Sequence, residues 1–239
     1  GHTDTPLYIA HMTCREAIAE LQKAKGTGQR VSGETCTHYL TTTKEVLDNP
    51  DFNEAAKFVC SPALRDREDC EALWQALSDG LLTAVSSDHC GIDVAELKQA
   101  GRNDFTQIPN GSPGAGDRLH MVWTEGVCTG KLTRQKFVDV IATQPAKING
   151  IYPRKGTLAV GSDADVVIFD PNYEGTVHLA DNPNGVDYNL YEGRRQSGRV
   201  ETVLLRGQVV VENAKFVGRY GQGKFIPANM YASGYENRN

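Results

Sequence analysis

From residue 83 the chain reads Thr83-Ala84-Val85-Ser86-Ser87-Asp88-His89-Cys90-Gly91-Ile92, an apolar run that ends in a carboxylate, an imidazole and a thiol. A short apolar run of this kind is typical of a buried strand. In parallel α/β folds, ligands bind at the carboxyl ends of the strands. The alternative at this point is that Asp88 caps a following helix and His89 packs in the core.

Two further units of the same kind precede this stretch, each with a strand-like run followed by residues at helical spacing. Three such units in succession predict an α/β fold with a parallel sheet and right-handed crossovers. His11, Cys36 and Asp88 would then lie together at the carboxyl ends of the strands, which form the mouth of the sheet. The predicted elements are strands over 7–11, 30–36 and 82–87, helices over 15–24, 37–47 and 67–77, and an extended piece over 58–65.

A histidine and a carboxylate at one mouth are suited to a metal ion, because both are ligands of zinc, manganese and iron. His11 alone would more often be a packed core residue. Asp88 at a second strand end of the same sheet favours the metal site.

A long loop rich in glycine and proline follows over residues 101–118, and loops of this length are usually functional or disordered. Its interleaved Phe105, Ile108 and Arg118 favour an ordered loop over the mouth. The loop lacks both the lysine and the glycine order of phosphate-binding fingerprints.

The remaining chain changes character near residue 153, where helical spacing gives way to strands and turns. We expect a small, mostly antiparallel sheet and then an extended tail over 218–239, whose aromatic residues would pack against a neighbouring subunit. The predicted elements are helices over 118–129, 133–143 with Thr133 as N-cap, and 145–148, and strands over 157–160, 164–170 and 203–211, joined by Gly-Ser-Asp or Arg-Gly turns.

Composition restricts the class of protein. A net charge of -5 over 239 residues argues against a nucleic-acid partner, and the six cysteines form no Cys-x-x-Cys pair, which predicts reduced thiols. No run approaches the roughly 18 apolar residues of a spanning helix, and the first residues lack a secretory signal. We therefore expect a cytoplasmic protein that does not contact a membrane. Because a strand is predicted almost at once, at Leu7, we expect the chain to be one part of a longer polypeptide.

Five segments of the chain resemble the hydantoinase and dihydropyrimidinase branch of the cyclic amidohydrolases. The match runs nearly end to end, and Cys60-Ser61-Pro62-Ala63-Leu64-Arg65 is among the segments specific to this branch. The resemblance implies that residues 1–152 are the C-terminal portion of a metal-dependent (β/α)8 barrel, that 153–215 supply strands of a small β-sandwich, and that 216–239 form an extended tail. The matching segments are residues 8–11, 60–65, 87–90, 104–111 and 153–171.

The resemblance also implies a cofactor of two divalent metal ions, usually zinc, held by a His-x-His pair, a carboxylated lysine, two further histidines and one aspartate. His11 matches the last histidine and Asp88 matches the aspartate. The other ligands would lie upstream, so this chain alone is expected to be inactive. Asp88 would also take the proton of the attacking water and return it to the leaving nitrogen. Ser61 and Asn110 match positions whose backbone groups bind the amide edge of the substrate ring.

The function implied is hydrolytic ring opening of dihydropyrimidines or 5-substituted hydantoins to N-carbamoyl amino acids, as in pyrimidine degradation, by a homodimer or homotetramer. One alternative is an allantoinase- or dihydroorotase-like enzyme, against which the segments of Ser61 and Asn110 count. Another is a non-catalytic scaffold such as the collapsin response mediator proteins, which have lost metal ligands, whereas His11 and Asp88 are present here.

Departures from the family pattern lie outside the metal positions. Ala63 stands where a second proline is common, and Ala115-Gly116 stands where an Ile-Glu pair is common, which could reposition the loop near Arg118. His89 is interpreted as either an orienting or a structural residue, and Cys90 as a small buried apolar residue. Three further histidines are interpreted as ordinary surface or packing residues: His38, His120 and His178.

Overall fold

Three parallel strands form the first sheet of the computed structural model, which describes residue 3 and residues 5–229. Strand β2 (Val31–Cys36) lies between β1 (Leu7–Ile9) and β3 (Ala84–Ser86), pairing with β1 through its first half and with β3 through its second. The predicted α/β class with a parallel sheet is confirmed. Strand β1 is shorter than predicted because His11 leaves the extended conformation, and β3 is shorter than predicted at both ends.

Helices α1 (Arg15–Gly26) and α4 (Arg67–Ser78) cover this sheet, and both follow the predicted apolar spacing. Their buried side chains join Val85 of β3 in the main hydrophobic core. Each such side chain contributes roughly 1.5–3 kcal/mol to the free energy of unfolding. These core residues are Ile18, Leu21, Leu73, Trp74 and Leu77.

The chain between β2 and α4 differs from the prediction. The single helix expected over 37–47 is split into α2 (Thr37–Thr41) and a 3-10 helix (Lys44–Asp48), because Thr42 is extended, with φ of -135°. A further helix, α3 (Phe52–Ala56), follows. Residues 58–65 are irregular and include a cis peptide bond before Pro62.

The helices after the long loop lie close to their predicted positions, but the first two switch from α to π geometry part-way. Thr133 is an N-cap as predicted, since its side chain accepts a hydrogen bond from the Lys136 amide. The π segment at Trp123 brings its ring to 5.3 Å from that of Phe137 and 4.8 Å from that of Phe169. In order, the segments are α5 (Arg118–Val122), π Trp123–Val127, α6 (Arg134–Val138), π Asp139–Thr143 and α7 (Gln144–Ile148).

The second sheet is antiparallel, as predicted, with strand order β4-β5-β6-β7. A two-residue turn at Arg206-Gly207, with positive φ at both positions, joins β5 to β6. The strands are β4 (Val166–Thr176), β5 (Arg195–Leu205), β6 (Gln208–Glu212) and β7 (Lys215–Phe216).

The strand predicted over 157–160 is wrong. The Asp163 amide donates to the Arg154 carbonyl and the Ser162 amide to the Ala159 carbonyl, so this segment is a set of turns. Leu158 is 77% exposed, so its apolar side chain does not mark a buried strand.

Residues 177–194 connect β4 to β5 and pack against the loops of the first sheet. They form a second core with Val94 and Met121. The buried carboxylate of Asp117 accepts hydrogen bonds from three amides of this segment, and Asp187 accepts from the backbone amides of 94 and 95. The three amide side chains are Asn182 at 2.7 Å, Asn184 at 3.3 Å and Asn189 at 3.2 Å.

The described end of the tail carries exposed aromatics, with Tyr220 97% and Phe225 90% exposed. The tail aromatics Tyr231 and Tyr235 lie outside the described residues. None of the helices in the described part of the chain is long and apolar enough to cross a membrane. The domain boundaries at residues 152 and 215 stay a prediction.

Candidate active site

His11 and Asp88 occupy equivalent places at the mouth of the parallel sheet, each two residues past the end of its strand. Both have a left-handed backbone, with φ of 40° and 46°. Non-glycine residues with positive φ are uncommon, and those away from turns cluster at functional sites. The remaining non-glycine residues with positive φ, among those described, lie in hairpin turns of the second sheet: Arg206, Asn213 and Ala214.

Local hydrogen bonds hold the backbone after His11. The Met12 amide donates to the Glu34 carbonyl at 2.8 Å, and the Thr35 hydroxyl donates to the Met12 carbonyl at 2.8 Å. The chain therefore leaves β1 anchored on β2, and His11 has little freedom to return to an extended conformation.

Cys36 ends β2 between these two positions, as expected for a shared mouth. Its thiol is buried and lies 3.2 Å from the Ser86 hydroxyl. Burial raises the pKa of Cys36 to about 12, and the nearby negative charges of Glu34 and Asp88 act in the same direction. The thiol is therefore protonated near neutral pH in this environment, which does not favour a nucleophile.

His38, in helix α2, is a buried packing residue with an unexpected position beside His11. Its Nε2 has no hydrogen-bond partner among the described residues, and its ring lies 4.0 Å from that of Tyr39. Burial lowers the pKa of His38 to about 4, with a smaller contribution from the charge of His11. No periodicity or motif in the sequence marks this residue, because its relation to His11 arises only when β1 and β2 pair.

The residues after Asp88 contact the long loop. His89 Nδ1 accepts a hydrogen bond from the Gly114 amide at 3.2 Å, and the Cys90 amide donates to the Ser112 carbonyl at 3.0 Å. The structural interpretation of His89 is therefore the one supported by its contacts. The interpretation of Cys90 as a buried residue is wrong, because the chain turns outward after Asp88 and leaves Cys90 exposed.

Ser61 and Asn110 are exposed, and the structure brings their segments side by side. The Gly111 amide donates to the Val59 carbonyl at 3.0 Å, and the Ser112 hydroxyl donates to the Lys57 carbonyl at 2.7 Å. Since Ser112 also binds Cys90, one short stretch of the loop connects the segments that carry Ser61, Asp88 and Asn110.

The donor set of this chain fits part of a metal site. An imidazole and a carboxylate suit a zinc-like ion, which takes four ligands in structural sites and three protein ligands in catalytic ones. Among the residues that the structure describes, no group of three or more histidine, cysteine, aspartate or glutamate side chains could hold a metal ion. His11 and Asp88 would therefore need donors from beyond the described residues.

A sequence model of the amidohydrolase family matches residues 8–210, which include nearly all of the parallel sheet, most of the antiparallel sheet and all four predicted site residues. The chain belongs to the amidohydrolase family. This amidohydrolase is 47% identical over 228 residues to a D-hydantoinase of Ralstonia pickettii and 46% identical over 228 residues to a D-hydantoinase of Rhizobium radiobacter. Each alignment covers 95% of this chain and 50% of the relative, so this amidohydrolase spans about half the length of the curated relatives it matches.

Solved structures give the same result. The crystal structure of a dihydropyrimidinase from Brevibacillus agri matches this amidohydrolase with a TM-score of 0.94 and 43% identity, over 97% of this chain and 50% of that one. The resemblance to the hydantoinase and dihydropyrimidinase branch is therefore confirmed.

Proposed function

We propose that this amidohydrolase opens dihydropyrimidine or 5-substituted hydantoin rings by hydrolysis, giving N-carbamoyl amino acids. The observation that carries the proposal is that His11 and Asp88, both with a left-handed backbone, lie at one mouth of the sheet. The segments of Ser61 and Asn110 lie beside them. The similarity to D-hydantoinases along nearly the whole chain supports the choice of substrate.

The three parallel strands would belong to a (β/α)8 barrel whose carboxyl-end mouth holds the site, with the barrel portion ending near residue 152. His11 and Asp88 would each bind one of two divalent ions, which we propose to be zinc, together with ligands outside this sequence. When bound, such a pair supplies hydroxide near neutral pH and polarises the carbonyl of the ring.

Asp88 would also act as general base and then as general acid. Its side chain is exposed to the mouth and can reach a water molecule there. It would take a proton from this water during attack and deliver the proton to the departing ring nitrogen. The fixed left-handed backbone at Asp88 would hold the carboxylate in one place for both steps.

Ser61 and Asn110 would bind the planar amide edge of the ring through their backbone groups. A backbone amide and a backbone carbonyl can recognise a -CO-NH- edge without any charge. Their exposure and the hydrogen bonds between their segments support this role.

We further propose a cytoplasmic homo-oligomer. The six free cysteines suit a reducing compartment, and the exposed Tyr220 and Phe225 suit a contact between subunits.

The experiment is to measure metal content and the opening of dihydrouracil and hydantoin by the longest natural polypeptide that contains these residues. We expect about two divalent ions per chain, and loss of at least roughly a hundredfold in turnover for Asp88→Ala. Asp79→Ala, which removes an exposed carboxylate at the end of α4, should retain activity. An absence of both metal and turnover in the unchanged polypeptide would favour the scaffold interpretation instead.

A further inference from the structure

Lys98 is fully buried, with an exposed fraction of 0%. A buried ammonium group is costly unless its donors are satisfied. Its Nζ donates to the carbonyls of Ala56 at 2.8 Å, Val59 at 3.2 Å and Gly111 at 2.8 Å. An ammonium group has three N–H donors, so these three carbonyls satisfy it completely.

The three carbonyls come from the two segments that carry the proposed ring-binding residues. Val59 lies two residues before Ser61, and Gly111 directly follows Asn110. The Val59 carbonyl also accepts the Gly111 amide, so the ammonium group sits where the two segments meet. Without Lys98, three backbone carbonyls would converge in a buried place with only the amides of Gly111 and Val59 to donate to them.

Close packing also holds the Gly111 segment. A β-carbon at Gly111 would lie 2.5 Å from the Cys90 β-carbon, so the backbone of Gly111 already touches that side chain. The segment is thus held both by Lys98 and by the chain after Asp88.

We propose that Lys98 is a positioning residue, which fixes the spacing between the backbone groups of Ser61 and Asn110 and thereby sets how tightly the amide edge of the ring binds. This inference rests on the proposed function. Backbone groups cannot be adjusted by changing their own side chains, so their geometry depends on whatever holds the main chain. Burial lowers the pKa of Lys98 to about 8, which still leaves the ammonium form, with its three donors, dominant at pH 7.

The first test does not require turnover. Lys98→Met keeps an unbranched side chain of similar length and removes all three donors. Hydrogen–deuterium exchange should become at least about tenfold faster in peptides covering 57–62 and 108–114 and stay unchanged over 31–36. Lys25→Met is the matched control, since Lys25 is partly buried and its Nζ donates to the Leu81 carbonyl at 2.8 Å, away from the mouth. Unchanged exchange in both site peptides would overturn the proposal.

The second test separates positioning from general stability. For dihydrouracil and hydantoin, Lys98→Met should raise KM about tenfold or more at unchanged metal content, with a smaller change in kcat. Lys98→Gln keeps an amide donor, so its KM should lie between those of Lys98→Met and the unchanged polypeptide. This variant replaces Lys98→Met if the latter folds poorly. Equal KM values in Lys98→Met and the unchanged polypeptide would refute the positioning role. Loss of turnover in the unchanged polypeptide would refute the proposed function instead, and the exchange data would still report on Lys98.

Discussion

His11 and Asp88 adopt the same left-handed backbone, with φ of 40° and 46°, at the ends of the two strands that flank β2. Such a conformation costs of order 1–3 kcal/mol at each non-glycine residue. The fold therefore keeps a strained backbone at the two residues that we propose as metal ligands.

This strain predicts an unusual order of stabilities at position 88. Asp88→Gly should be more stable than Asp88→Ala by about 1 kcal/mol, because glycine accepts positive φ. At Asp79, where φ is -74°, the order should reverse. Urea unfolding of the four variants measures both differences. If alanine is at least as stable as glycine at position 88, the backbone there is not strained.

Gly111 should tolerate alanine poorly. Its φ is 130°, and the added β-carbon would lie 2.5 Å from the Cys90 β-carbon. We expect a loss of about 1 kcal/mol from the backbone and a further 1–3 kcal/mol from overpacking. Gly130→Ala, with φ of 79° and open space around it, should show only the first loss. Thermal unfolding should also show that Cys90→Gly partly restores the stability of Gly111→Ala; purely additive losses would argue against the contact.

The Asp117 carboxylate should contribute strongly to the free energy of unfolding. Asp117→Asn places an amide against the amide donors of Asn182 and Asn189, so we expect a loss of about 2–3 kcal/mol in the free energy of unfolding. Asn184→Ala should cost less, since its donor lies 3.3 Å from the carboxylate. Chemical denaturation gives these values. Limited proteolysis should show faster cleavage within 177–194 for Asp117→Asn, and an unchanged cleavage pattern would contradict the proposed anchoring.

The lowered pKa of His120 should cause part of the pH dependence of the free energy of unfolding. Burial lowers its pKa, with partial opposition from Asp117 and the Gly198 backbone. The unfolded chain then binds more protons than the folded chain below the ordinary histidine pKa of about 6.5. Stability should therefore fall as pH falls through about 6.5 towards the lowered pKa of the folded state. The free energy of unfolding of His120→Gln, measured by urea titration at several pH values, should fall less steeply; parallel curves would rule His120 out as the cause.

Residue spacing predicts several helices and strands of this molecule, and the family resemblance predicts its candidate site residues. The spacing of Ile18 and Leu21 defines α1, and the apolar run ending at Asp88 defines β3 and its mouth. The resemblance identifies His11, Asp88, Ser61 and Asn110 as candidates, and their roles stay a prediction.

What sequence reasoning misses is non-local. Lys98 binds carbonyls up to 42 residues away, and the amides around Asp117 lie 65 to 72 residues along the chain, so no periodicity reveals either contact. The turns at 157–160 and the exposure of Cys90 depend on where the chain goes next, which hydrophobicity alone does not encode.

The connection between β4 and β5 has a consequence for how the molecule unfolds. This connection leaves the antiparallel sheet after β4, buries Tyr191 completely in the core that contains Met121, and returns to the same sheet at β5. Detaching that sheet would expose this second core and strip Asp117 of its partners. The two sheets should therefore melt together as one cooperative transition, and the antiparallel sheet is not a module that can be exchanged without rebuilding the mouth of its neighbour.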